Sequence, residues 1–437
     1  MLALLGYLMV ITFMVLILTK RLSPFTALII VPVIFGLIGG FGLDLGPLMI
    51  EGITKITPTA ILLLFAIMYF GIMLDTGLFD PLINKLLSVV KGDPLKVIVA
   101  SAILPGIVGF DGDGATTIMI CVTPFLPLYK KLGINPLILA ALTIMQIGIT
   151  TLVPWGGPAG RVASALHIDI TELYIALLPG MIIALVYVVF VAYMIGKRER
   201  ARLGVSHFHI NPDVQDEMAS TIEGTDIIEE DLKRPKLLWI NLLLTAVIMV
   251  AIFGDWVPTP VLFMIGTAVA LVINYPALPD QQKRISFHAP NAFAVASMVF
   301  AAGIFTGILR GTKMSEEMAQ GLVSIIPPEF GAHFPIITAI ISAPGMFFLG
   351  PDGFLFGILP ILAETASSYG ISNLEMGIAS LFGTPFAIVG PLVASLYLLI
   401  GMTGVGLGEL QKFVAKRSIM IMVIYIVTGL LIGTISL

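Results

Sequence analysis

Two carboxylates separated by one glycine, Asp111-Gly112-Asp113-Gly114, sit between the apolar stretches 94–110 and 116–130. An acidic side chain inside hydrocarbon costs on the order of 2.5–3.5 kcal/mol on insertion scales, so a pair needs a partner such as a cation or a proton. The glycines let the chain turn tightly and bring backbone groups close to a ligand. Thr116 and Thr117 add hydroxyls beside the turn. In a water-exposed loop the same residues would need no partner. The D-x-D-x-G start of a calcium loop is not completed, because Ala115 follows Gly114 and no glutamate stands at the twelfth position.

A second Asp-Gly turn, Asp352-Gly353, lies between the apolar runs 334–349 and 354–369. Two further segments cannot continue as helices. Pro154-Trp155-Gly156-Gly157-Pro158 interrupts 135–167, and Gly383-Thr384-Pro385 with Gly390-Pro391 interrupts 373–400. Proline removes an amide donor and glycine destabilises what remains, so each segment reads as two short helices meeting at an unwound stretch. Amides exposed at such breaks hold carboxylates, and unwound carbonyls hold cations. Arg161, just past the first break, is placed either to pair with a substrate carboxylate, to neutralise Asp111 or Asp113, or to snorkel outward. Asp75 reads as interfacial. His167 and His333 stand singly, and His207 and His209 fall in a polar linker, so no metal-ligating histidine cluster is visible.

The elements that carry these residues follow from composition. The 437 residues are 58% hydrophobic and 11% charged, with a mean hydropathy of +1.05, whereas roughly 25% of residues are charged in an average soluble domain. Spans are expected at 2–18, 23–42, 58–76, 135–167, 171–196, 237–254, 257–275, 290–309, 373–400 and 416–436. The pairs 94–130 and 334–369 form hairpins that enter and leave on one side. Segments 79–90 and 314–326 alternate apolar and polar faces, as interfacial helices do. The first apolar run, from Met1 to Leu18, lacks a preceding basic segment and a cleavage site, so it is read as a span rather than a removable leader.

Gly133, Pro154 and Glu172 are spaced by 21 and 18 residues, and Gly370, Pro391 and Glu409 by the same intervals. Two similar halves with five net crossings each must lie in opposite orientations. The expected architecture is therefore an all-α polytopic membrane protein built as an inverted repeat. Residues 1–196 form the first repeat, with hairpin 94–130 and broken helix 135–167. Residues 197–236 form a cytoplasmic linker, and residues 237–437 the second repeat, with hairpin 334–369 and broken helix 373–400. With the linker inside, only Lys55, Arg310 and Lys313 of the 23 basic residues fall outside and Arg161 lies within a span, as the positive-inside rule requires.

No lysine is followed by serine or threonine, so a phosphate-binding loop for ATP is absent. The single cysteine, Cys121, rules out an internal disulfide and a thiolate metal cluster. Inverted repeats with interrupted helices are characteristic of secondary transporters. An intramembrane aspartyl protease would need G-x-G-D, and residue 110 is Phe.

The run Gly109-Phe110-Asp111-Gly112-Asp113-Gly114-Ala115-Thr116-Thr117, the segment Leu126 to Gly133, and Pro154-Trp155-Gly156-Gly157-Pro158 with Arg161 closely resemble the CitMHS family of citrate–metal/proton symporters. The resemblance extends over nearly the whole chain, including Leu359 to Glu364 after the second turn. It implies the ion-transporter superfamily fold, a homodimer working by an elevator motion in a bacterial plasma membrane, and uptake of citrate with a divalent cation (Mg or Ca) as co-substrate and protons. No permanently bound cofactor is implied. On this reading Asp111, Asp113 and Asp352 handle the cation or proton. Thr116, Thr117, Trp155, Gly156, Gly157, Arg161, Gly353, Thr384, Pro385 and Gly390 surround the carboxylate. The chain departs from the family pattern in placing Ala115 where serine is usual, Ala159 for threonine, Gly383-Thr384-Pro385 for a Gly-Gln-Pro run, and Gly390 for serine. The alternatives on the same fold are a sodium-coupled di- or tricarboxylate carrier and a cation/proton antiporter.

Overall fold

Inside hydrocarbon a backbone must satisfy its own amides and carbonyls, and for segments apolar on nearly every face the α-helix does so. The computed structural model describes residues 1–90, 92–203, 230–254, 256–324 and 328–436, and among them there is no strand. The first half comprises α1 (Leu2–Leu18), α2 (Pro24–Ile38), α3 (Leu45–Asp75), α4 (Asp80–Val90), α5 (Pro94–Val108), α6 (Gly114–Leu132), α7 (Pro136–Thr150), α8 (Gly157–Leu166) and α9 (Ile170–Leu203). The second comprises α10 (Leu238–Phe253), α11 (Thr259–Asn274), α12 (Leu278–Gly311), α13 (Met314–Val323), α14 (Phe334–Asp352), a π-helical turn at Gly353–Ile358, α15 (Leu359–Ser367), α16 (Asn373–Leu381), α17 (Thr384–Ala387), α18 (Ala394–Thr403) and α19 (Leu407–Ile432). Among the described residues seven helical segments are long and apolar enough to cross a membrane, including α3, α9, α12 and α19. Five shorter apolar helices accompany them, including α1, α2 and α7.

Local chemistry explains where helices begin. Ser23, Asp93 and Asn135 each cap a following helix by accepting from a first-turn amide, and each precedes a proline at the first helical position. Expected boundaries fail mainly at interior prolines. The spans expected from 58 and from 290 start at Pro58 and Pro290, yet both prolines lie inside longer helices, α3 of 31 residues and α12 of 34. Neighbouring helices tolerate the lost hydrogen bond in a membrane bundle. The segment expected as linker from residue 197 starts as the end of α9, which runs to Leu203. Residues 204–229 lie outside the described residues.

The long helices α3 and α12 form the most extensive helix pair. Small residues allow it: a Cβ added to Gly52 would stand 2.1 Å from the Gly303 carbonyl oxygen and 2.8 Å from the Gly307 Cα. α2 packs on α12, and its counterpart α11 packs on α3. The hairpins also exchange partners. α6 of the first hairpin packs on α18 of the second half, and the π-helical turn of the second hairpin packs on α8 of the first. Each break is thereby carried to the other half's hairpin.

Gly52→Ala must push α3 and α12 apart. Overpacking of this kind costs roughly 1–3 kcal/mol, so the variant's unfolding temperature in detergent, followed by a thiol- or dye-based thermal assay, is expected to fall by several degrees.

Candidate functional site

α5 ends in a single 3-10 turn, Gly109–Asp111, and Gly112 reverses the chain at φ +80°. The first tip is compressed from two sides. A Cβ on Gly109 would meet Thr150 Oγ1 at 2.4 Å, and one on Gly112 would meet Trp155 Cδ1 at 3.1 Å. Trp155 Nε1 donates to the Phe110 carbonyl at 2.7 Å. Its ring stacks on Phe70 of α3, centroids 5.0 Å apart, and meets Phe263 of α11 edge-on at 5.2 Å. Trp155 thus locks the first break, the first tip, α3 and α11 together. Gly156 admits no substitute, since its Cβ would lie 1.9 Å from the Thr151 carbonyl oxygen.

The two tip carboxylates differ in what they do. Asp113 is the N-cap of α6: its carboxylate accepts from the amides of Ala115 and Thr116, each at 3.2 Å, and from the Thr116 hydroxyl. Asp111 is 3% exposed. Its Oδ1 accepts from the Asp113 amide at 2.9 Å and from the Thr117 hydroxyl at 3.2 Å. Its Oδ2 is buried with no hydrogen-bond partner among the described residues. Because the first amides of α6 are already taken by Asp113, this tip is rich in acceptors and suits a hard cation or a proton more than an anion. α8, by contrast, begins at Gly157 with Gly156 as N-cap and no side-chain cap, which leaves its first amides for a carboxylate.

The second tip turns earlier than expected. Gly350, at φ 73° and ψ 163°, breaks α14, so Asp352 stands in the first turn of the returning limb rather than at the apex. Arg161 reaches across the halves to Asp352, Nε to Oδ1 2.5 Å, and not to Asp111 or Asp113. Gly157 makes room for the guanidinium, since a Cβ there would stand 2.5 Å from Nη1. Gly353 is buried within the π-helical turn. The remaining second-half residues sit in packing roles. The Thr384 hydroxyl donates to the Leu381 carbonyl, the Pro385 carbonyl accepts from Ser418, and Gly390 backs onto the Phe347 carbonyl, 2.9 Å from where its Cβ would stand. Asp111, Asp113, Thr116, Thr117, Trp155 and Gly156 therefore form one group, and Gly157, Arg161 and Asp352 a second. Thr384, Pro385 and Gly390 lie apart against the second hairpin.

A cavity of about 390 Å³ adjoins the first tip, lined by Asp111, Asp113 and Thr116 on one wall and by Gly71, Asp75, His288 and Asn291 on the other. Asp75, the last residue of α3, is enclosed by other side chains. It is 4% exposed and its Oδ2 contacts Arg284 Nη1 at 3.3 Å and His288 Nε2 at 2.7 Å. His288 had no motif to draw attention to it. The one available signal is that Arg284 and His288 stand four residues apart, on one helix face.

The CitMHS family profile, described as citrate transporter, matches residues 13–383. The chain belongs to the CitMHS family. It is 53% identical over 436 residues to the citrate transporter of Bacillus subtilis (strain 168), covering 100% of both chains. It is 47% identical over 438 residues, again 100% of both, to the Mg(2+)/citrate complex secondary transporter of the same organism. In fold it is similar to the YdaH transporter of Alcanivorax borkumensis, described as having an unusual topology: TM-score 0.55, 15% identity, 88% of this chain and 87% of that one. This CitMHS chain is a multi-pass membrane protein and a transporter, not an enzyme. The motifs from Gly109 to Arg161 and from Leu359 to Glu364 fall inside the matched range.

Removing one member of the Arg161–Asp352 pair leaves a half-buried charge alone. Arg161→Gln and Asp352→Asn are each expected to lower thermal stability, and the double variant to recover part of the loss. A coupling of about 1 kcal/mol or more in a double-mutant cycle is the expected reading.

Proposed function

We propose that this transporter takes up citrate as a complex with a divalent cation, coupled to protons, across a bacterial plasma membrane with residues 197–236 in the cytoplasm. The observation that carries the reading is the buried Asp111 carboxylate, with one oxygen unpartnered, beside a cavity also lined by Asp113 and Thr116. A free tricarboxylate would be repelled by two carboxylates, whereas a metal complex presents a cation to them and carries less negative charge. Among the described residues no three His, Cys, Asp or Glu side chains are grouped to hold a metal by themselves. A cation that arrives with citrate brings carboxylate ligands of its own, and Asp111 and Asp113 then need only complete its oxygen shell.

In this scheme Asp111 and Asp113 handle the cation, or a proton in the part of the cycle without it. Thr116 and Thr117 orient the two carboxylates. The uncapped start of α8 and the Gly156-Gly157 backbone receive a citrate carboxylate. Trp155 holds the break against the tip. Arg161, with Asp352, Gly353, Thr384, Pro385 and Gly390, forms the second-half side, where Arg161 is released from Asp352 to the anion as the site closes. The names of the two Bacillus relatives support citrate, and that of one supports its magnesium complex. A homodimer with an elevator motion of the hairpins completes the proposal.

Asp113→Asn keeps a side chain able to cap α6 but removes its charge. Metal-stimulated uptake of labelled citrate into vesicles under an imposed pH gradient is expected to fall by roughly two orders of magnitude, about 3 kcal/mol of lost charge-assisted contact, with thermal stability nearly unchanged. Unchanged uptake rejects the role. Wild-type uptake that follows a sodium gradient and ignores magnesium, calcium and chelator would move the assignment to a sodium-coupled carrier.

A further inference from the structure

The wall of the cavity opposite Asp111 and Asp113 carries chemistry that the scheme above leaves unused. Asp75 of α3 and Arg284 of α12 have side chains only 6% and 4% exposed, whereas the His288 side chain is 12% exposed. Of the three, His288 and Asp75 line the cavity. The imidazole lies on the backbone of α3, where a Cβ on Gly71 would stand 2.4 Å from Nδ1. Its Nε2 is 2.7 Å from Asp75 Oδ2, and the Phe287 ring stands at 89° to it with centroids 5.1 Å apart. One ring nitrogen is thus fixed by a carboxylate, and the ring is oriented by a glycine and an aromatic face.

The charges facing His288 are Asp75 from α3, Arg284 from its own helix, and Asp111 and Asp113 across the cavity. Of the other elements packed on α12, α2 and the π-helical turn carry no charge, α8 carries Arg161, which is paired to Asp352, and α13 carries Glu316 and Glu317 in its first turn. Tyr275 and Arg234 lie further off toward the linker end, where the Arg234 guanidinium covers the Tyr275 ring. Asp75 and Arg284 offset each other, so with a neutral imidazole the cavity presents two uncompensated carboxylates. With an imidazolium it becomes polarised, acceptors on the tip wall and a positive charge on the α12 wall. That matches a metal complex whose cation faces Asp111 and Asp113 and whose unshared carboxylate faces the other way.

We propose that His288, held by Asp75 across the cavity from Asp111 and Asp113, supplies the cationic charge of the α3–α12 wall, so that the metal–citrate complex binds to the imidazolium form. This rests on the metal–citrate reading. Asp75 acts as a positioning residue, and Arg284 balances its charge.

The test is uptake of labelled magnesium–citrate or calcium–citrate into vesicles, with the concentration of the complex held constant from about pH 5.5 to 7.5, the window in which imidazoles titrate. Wild type is expected to show a KM that rises with pH. His288→Gln can still donate to Asp75 but cannot become cationic; its KM is expected roughly tenfold higher at the acid end and flat with pH, with maximal rate within about twofold. His288→Lys restores a cation, and its KM is expected to be flat and near the acid value of wild type. A packing role would instead raise KM in both variants alike and leave the pH ratio intact. His288→Gln with the wild-type KM and pH ratio overturns the proposal, as does loss of folded protein in both variants by thermal assay. Wild-type vesicles that take up no citrate with either metal reject the parent reading and this one together, whereas wild-type uptake with an unchanged ratio rejects His288 alone.

Discussion

A backbone that leaves helical geometry inside a membrane must find partners for the groups it frees, and the organisation around the first tip follows from how that is done. At Gly109–Gly114 the partners are two carboxylates of the tip itself: Asp113 takes the first amides of α6, and Asp111 takes the Asp113 amide and the Thr117 hydroxyl. The tip is neutralised as a backbone and left charged as a site. The Phe110 carbonyl is taken by Trp155, which ties the first break to the tip and stacks both against α3. Glycines at 109, 112 and 156 are required because each neighbour has closed to within contact of where a side chain would begin.

The two Asp-Gly tips differ in chemistry. The first tip is rich in acceptors with an unpartnered oxygen on Asp111. The second has its single acid paired to Arg161 from the other half. The break beside the first tip starts a helix with no side-chain cap, while Thr384 in the second break donates to the carbonyl of Leu381, the last residue of α16. The acceptor-rich tip and the uncapped helix start are joined by Trp155-Gly156-Gly157. That juxtaposition suits a cargo that is itself a cation joined to a carboxylate.

Much of this was legible in the residues. The Asp-Gly tip, the proline–glycine breaks and the two amphipathic connecting helices are local features whose composition dictates their geometry, and each stands where the sequence pattern places it. What failed to show was set by packing between distant segments. Arg161 and Asp352 are 191 residues apart, and nothing in either neighbourhood names the other. His288 and Arg284 precede Pro290, which reads as the start of a span, so both seemed to lie outside the bilayer-spanning part; α12 instead begins at Leu278 and runs through the proline. The partners of Asp75 were hidden for the matching reason, that they lie on that first stretch of α12. The second tip was misplaced by two residues because Gly350, rather than Gly353, supplies the left-handed turn.

The central claim is that citrate and a divalent cation are recognised together at the first tip. Equilibrium binding of labelled citrate to the purified protein in detergent, with magnesium, calcium or chelator, tests it without the complications of transport. The account predicts saturable citrate binding in the presence of at least one of the two metals, and its loss both in chelator and in the Asp111→Asn variant. Citrate binding of equal affinity with and without metal, or retained in full by that variant, would contradict it.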